Sequence, residues 1–135
     1  MKKSLIAAAA AITLTLTASG TAQADGFEGT LACSTAGAKG SIYYNNWHGP
    51  DATINMSISL NDTAADGHHV RVRFLSKNTF GTTKHWAWRS ITGGSGTGNA
   101  WYTTASDSGG LFDIGVQVAR FEGDQMLNSC TDVTW

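Results

Sequence analysis

The sequence predicts an all-β fold, an antiparallel β-sandwich of about seven or eight strands with one disulfide joining the first strand to the last. Three observations predict it. Leu111 to Phe121, LFDIGVQVARF, places Phe112, Ile114, Val116 and Val118 on one parity and Asp113, Gly115, Gln117 and Ala119 on the other. That alternation marks a strand with one buried and one wetter face, and its length suits a central position. Similar short stretches recur between turn-rich segments, with no sustained 3.6-residue period, which argues against helix. Cys33 and Cys130 are the only cysteines and stand near the two ends of the domain.

The chain opens with Lys2 and Lys3, an Ala-rich apolar run from Leu5 to Leu16, and Ala22-Gln23-Ala24, a small-x-small cleavage signal. Residues 1–24 therefore read as a secretory signal peptide and 25–135 as a single secreted domain. The apolar run is too short for a membrane anchor and no stop-transfer charges follow it. After cleavage seven Lys and Arg face ten Asp and Glu, a net charge of about −3. That balance argues against nucleic acid and against a membrane surface as partners. Outside the cell the two cysteines are expected to pair, closing a loop of about 100 residues that the chain-entropy model values at about 4.7 kcal/mol. Their spacing is wrong for a CxxC redox pair.

The elements follow in order. Asp25 to Gly29 reads as a polar lead and Thr30 to Thr35 as the first strand, carrying Cys33. Ala36 to Gly40 is a small-residue turn. Ser41 to Trp47 is an aromatic-rich strand ended by Gly49-Pro50-Asp51. Ala52 to Leu60 alternates most cleanly, with Ile54, Met56, Ile58 and Leu60 against Thr53, Asn55, Ser57 and Ser59. After the loop Asn61 to Gly67, His68 to Ser76 sets Val70, Val72 and Phe74 against Arg71 and Arg73, and the two segments read as a hairpin sharing one buried face. Thr79 to Ile91 is one extended segment with a break at Gly81. Gly93 to Gly98 is a flexible loop, Asn99 to Thr103 a short strand, Ser106 to Gly110 a turn. The central strand, the Glu122-Gly123-Asp124 turn and a last strand from Leu127 to Trp135 complete the chain. Trp47 stands fourteen residues after Cys33, as an immunoglobulin core Trp would. The cysteines are too far apart for that family, and Asn128 occupies the place of its tyrosine, so only the architecture is kept.

Four groups of residues are candidate sites. Trp86 and Trp88 are two apart and would share a strand face, as core or as an exposed platform for a sugar ring, with core the stronger reading. Tyr43, Asn45 and Trp47 share parity beside His48 and suit carbohydrate or protein contact, or simply cover the core edge. Arg71, Arg73 and Arg89, with His85, would line an outer face, for an anionic partner or, more simply, for cross-strand pairing with Asp113 or another carboxylate. His68 and His69 point to opposite faces of a strand and lack a third ligand, so no metal is expected. The GGSGTG loop lacks the Lys-Ser/Thr ending and the helix of a phosphate loop. No nucleophile motif or carboxylate pair appears, so no catalytic residue and no cofactor is assigned.

In its signal, its composition and its closing segment GDQMLNSCTDVTW, the chain resembles small exported actinobacterial proteins of unknown function. The resemblance implies secretion and no activity. Two functions of different class follow from the residues. One is a non-catalytic binding module engaging another secreted protein as a subunit of an exported complex. The other is a carbohydrate-binding module recognising polysaccharide through its surface aromatics. A secreted inhibitor or antimicrobial effector, contacting its target through loop 93–98, is a third.

Overall fold

The computed structural model describes residues 26–135; the signal peptide assigned to 1–24 lies outside the described residues. Nine strands follow one another: β1 (Phe27–Thr35), β2 (Ala38–Trp47), β3 (Ile54–Asp62), β4 (His69–Lys77), β5 (Thr83–His85), β6 (Arg89–Ile91), β7 (Gly98–Ala105), β8 (Asp113–Glu122) and β9 (Gln125–Val133). They form two antiparallel sheets. Sheet I has the order β1-β2-β3-β7. Sheet II runs β9-β8-β4, with β5 and β6 both pairing with the far edge of β4. The fold is the two-sheet β architecture that alternation and turns predict, and β8 is central in its sheet.

Alternation explains the core. Ile42, Ile54, Ile58 and Leu60 of sheet I meet Val70, Val72, Val116 and Val118 of sheet II, all essentially inaccessible to solvent. Burying each such side chain contributes about 1.5–3 kcal/mol relative to leaving it exposed. The outer parity of β8 is less wet than predicted. Ala119 and Phe121 are buried there, because a second layer of side chains covers sheet II from outside.

One side of the sandwich is stapled. Cys33 on β1 and Cys130 on β9 form the disulfide, with Cα atoms 6.1 Å apart. Beside it, Ala32 N–H donates to Asp132 Oδ2 at 2.9 Å. Asn128 Nδ2 donates to Thr35 Oγ1 and the Ala36 carbonyl at 2.7 and 3.0 Å. Side chains of β9 thus satisfy backbone and hydroxyl groups at the end of sheet I, and blunt the edge of β1.

Several expectations are corrected. The predicted β3–β4 hairpin does not form: β3 pairs with β2 and β7, β4 with β8. Their apolar faces do share one core, but across the sandwich, because the intervening loop crosses between sheets and is anchored there by Arg120 Nη1 donating to Asp66 at 2.7 Å. Phe27 to Gly29 belong to β1 rather than to a polar lead. The first turn is only Ala36-Gly37, where Gly37 takes φ +84°, a conformation that favours glycine. Phe112 precedes β8 and is 45 % exposed, while Leu111 takes the core position. The backbone sets this swap: Leu111 N–H donates to the Pro50 carbonyl and Phe112 N–H to that of Lys77.

Candidate functional site

Two β-bulges decide where the aromatic residues go. In β2, Phe27 pairs with Trp47 and Gly29 with Tyr44, so β2 carries one residue more than its partner. Asn46 stands in this bulge at φ +66°, a left-handed conformation that asparagine tolerates better than most, and its Nδ2 donates to the Thr53 carbonyl at 2.9 Å. The extra residue reverses parity. Tyr43 and Asn45 face outward, but Trp47 turns inward, stacks edge-on with Tyr44 at 5.9 Å and donates from Nε1 to the Leu111 carbonyl at 3.0 Å. Trp47 is therefore a packing residue, not a member of a Tyr43–Asn45–Trp47 cluster.

The second bulge breaks the predicted 79–91 strand. Leu75 pairs with His85 and Val72 with Arg89, leaving Trp86, Ala87 and Trp88 opposite only two residues. Trp86 turns to the core side, packs on Phe74 at 5.3 Å and donates from Nε1 to Ser76 Oγ at 2.9 Å. Trp88 lies on the outer side, edge-on to Phe121 and under the Arg73 guanidinium at 4.0 Å. A shared Trp86–Trp88 platform is thus ruled out. The arginines separate in the same way. Arg71 donates to Asp124 at 2.9 Å, to the Gly123 carbonyl and to His69 Nε2, and lies over Phe121. Arg73 donates to Gln117 Oε1 at 2.8 Å, and burial lowers its pKa. Arg89 is on the opposite face, 5.8 Å from the Trp101 ring, and does not join them. The pairing partners are Asp124 and Gln117; Asp113 instead accepts from Thr134. His68 contacts Glu122 at 2.6 Å, and among the described residues no three His, Cys, Asp or Glu side chains could hold a metal.

What remains open is the outer face of sheet I. Its register aligns Tyr43, Ser57 and Tyr102 in one row across β2, β3 and β7, and Asn45, Asn55 and Thr104 in the next. Tyr102 is 83 % exposed and Tyr43 41 %. Their strands flank β3, two strand spacings or about 9.5 Å apart. A depression of about 440 Å³ runs between them, bounded by both asparagines. A second, of about 580 Å³, continues over Ser41 and Ser59 to Lys39. Asn55 Nδ2 donates to Asn45 Oδ1 at 2.9 Å, which leaves the Asn45 amino group and the Asn55 carbonyl facing solvent. Between Glu28 at one end and Lys39 at the other the outward strand positions hold no charge, only Ser, Thr, Asn, Tyr, Ala and Gly.

Tyr43 and Asn45 were legible from the sequence as candidates; Tyr102 was not. Its exposure was foreshadowed only by its sharing parity with Thr104, and its alignment with Tyr43 depends on β7 pairing with β3 across a separation of more than 40 residues. The chain matches no known protein family, no curated protein and no solved structure.

Proposed function

We propose that this is a secreted, non-catalytic binding domain whose ligand is a neutral polysaccharide laid across the outer face of sheet I. The observation that carries the reading is the Tyr43–Ser57–Tyr102 row, two exposed rings on strands either side of β3 over an uncharged floor. A sugar ring offers an apolar C–H face to an aromatic and hydroxyls to amides. Tyr43 and Tyr102 supply the first contact, Asn45 and Asn55 the second. The spacing of the two strands is close to that of alternate residues in an extended β-linked chain. An acidic polymer finds no cation in the middle of the face, and a nucleic acid would meet a net-negative protein. The test is retention of the 25–135 protein on insoluble neutral polysaccharides, with Tyr43→Ala/Tyr102→Ala as control. Retention lost in the double variant supports the reading, and absence of retention on any of them removes it.

A second reading, assembly with another protein, is favoured by the edge of β7. Its eight residues pair with β3 without a register shift and include no charge and no proline. The Ala100 N–H is taken by Asn99 Oδ1 at 2.9 Å, so alternation leaves the Tyr102 and Thr104 N–H groups at the same free edge. Such an edge is a template for an added strand. A native mass above the monomer that Thr104→Pro returns to the monomer would favour this reading.

A further inference from the structure

We propose that the cleft between the two sheets at Arg89 is a second site, which binds a small carboxylate carrying one ring or a short alkyl chain. It adjoins the depression between Tyr43 and Tyr102, sharing Met56, Thr103 and Thr104 with it, but opens between the sheets and does not rest on the polysaccharide reading.

The cleft opens on the side of the sandwich opposite the disulfide, where β7 faces the broken β5–β6 edge. The bulge at 86–88 makes it. By turning Trp86 inward and leaving Ala87 at the rim, it interrupts the edge strand where the sheets would otherwise close. The space is about 240 Å³, with Met56, Ile58, Phe74 and Trp86 as an apolar floor. That volume is below the range for drug-sized ligands and suits a single small molecule. Bulges are over-represented beside functional sites.

Arg89 supplies the polar anchor. Among the described residues Arg71, Arg73 and Arg120 each donate to a side-chain acceptor. Arg89 has no such acceptor among the described residues; its guanidinium lies 5.8 Å from the Trp101 ring, and the residue is half-buried at the cleft mouth. The neighbouring cation, Lys84, is already held by Asp107 at 2.7 Å. A guanidinium is a five-donor fork matched to a carboxylate, and here it stands over an apolar pocket. The matching ligand has a carboxylate at one end and one ring or a few methylenes at the other.

Octanoate and benzoate are the probes, titrated into the 25–135 protein with tryptophan emission and calorimetry as readouts, beside octanol and benzyl alcohol. Saturable binding of a carboxylate is expected, weakened roughly tenfold or more in Arg89→Gln, since a hydrogen bond to a charged group is lost. The matched alcohol should bind correspondingly weaker. Ala87→Phe keeps Arg89 and narrows the cleft, so it should abolish binding even if Arg89→Gln fails to fold. No saturable binding, equal binding of acid and alcohol, or binding unchanged in Ala87→Phe would overturn the proposal.

Discussion

Trp86 and Trp88 face opposite sides of one sheet although a single residue separates them. Trp86 packs on Phe74 from the core side, and Trp88 lies between Phe121 and Arg73 on the outer side. Their truncation should therefore have unequal consequences. Trp86→Ala leaves a cavity against the core and strands Ser76 Oγ, for an expected loss of about 3 kcal/mol, the lower end for a buried Trp. Trp88→Ala removes one edge-on aromatic contact and one cation–π contact, about 1–2 kcal/mol together. Urea unfolding of the two variants measures both. Equal losses would contradict the bulge.

That bulge and the one at Asn46 mark the limit of what the sequence showed. Parity located Ile54, Met56, Ile58, Leu60, Val70, Val72, Ile114, Val116 and Val118 in the core correctly. Cysteine count and position gave the disulfide. Parity failed for Trp47, Trp88 and Arg89 for one physical reason: each follows a single inserted residue, and with a period of two one insertion moves every later side chain to the other face. The Asn45-Asn46 pair ahead of Trp47 was the available hint, since asparagine tolerates the left-handed region. Nothing comparable precedes Trp88. Sheet membership was also hidden, because β3 and β4 carry apolar faces equally able to pair side by side or to pack face to face.

Asn46 can be tested directly. Asn46→Ala places an ordinary L-residue at φ +66° and removes the bond to the Thr53 carbonyl. A loss of about 1–2 kcal/mol is expected from the backbone alone. Asn46→Gly gives up the hydrogen bond but relieves the backbone, so it should lie between wild type and the alanine variant. Chemical unfolding followed by tryptophan emission ranks the three.

The Cys33–Cys130 disulfide closes most of the domain into one loop, with a sequence separation of 97. Replacing both cysteines by alanine should lower stability by up to about 4–5 kcal/mol on the loop-entropy account. The bonds from Asp132 and Asn128 still join β9 to the β1 end of sheet I, so the fold itself should persist. Circular dichroism would then show unchanged strand content with a lower melting temperature; loss of strand signal at room temperature would mean that the staple alone holds that side.

Acid should weaken the fold through two carboxylates. The Arg120 guanidinium holds the Asp66 carboxyl below its ordinary pKa, and the Lys84 ammonium does the same for Asp107. A depressed native pKa means that the unfolded chain takes up the proton first. The stabilisation is complete above the ordinary aspartate value of about 3.9 and disappears as pH falls through the lower native values. Asp66→Asn/Asp107→Asn should therefore lower the melting temperature slightly at neutral pH, where wild type holds the full stabilisation, and converge with wild type at low pH, which flattens the acid limb. Both pairs are exposed, so the effect is small and screened by salt. A variant whose acid limb is as steep as wild type would place the acid sensitivity elsewhere.

The polysaccharide reading makes a prediction about length. Tyr43 and Tyr102 sit on β2 and β7 with β3 between them, so their backbones are anchored two strand spacings apart. An oligosaccharide too short to span both rings meets one at a time, and Tyr43→Ala and Tyr102→Ala should each then matter little because the other ring still serves. A longer chain engages both at once, and the second contact becomes intramolecular. Each single substitution should then weaken binding by about 1–2 kcal/mol, roughly 5- to 30-fold, as for a dominant aromatic contact. Tyr102→Phe should keep most of the affinity if the ring face makes the contact, and Trp88→Ala should leave it unchanged because Trp88 lies on the other sheet. Calorimetry across an oligosaccharide series measures the dependence. Single-variant effects that do not grow with chain length would mean that the two tyrosines do not share one ligand.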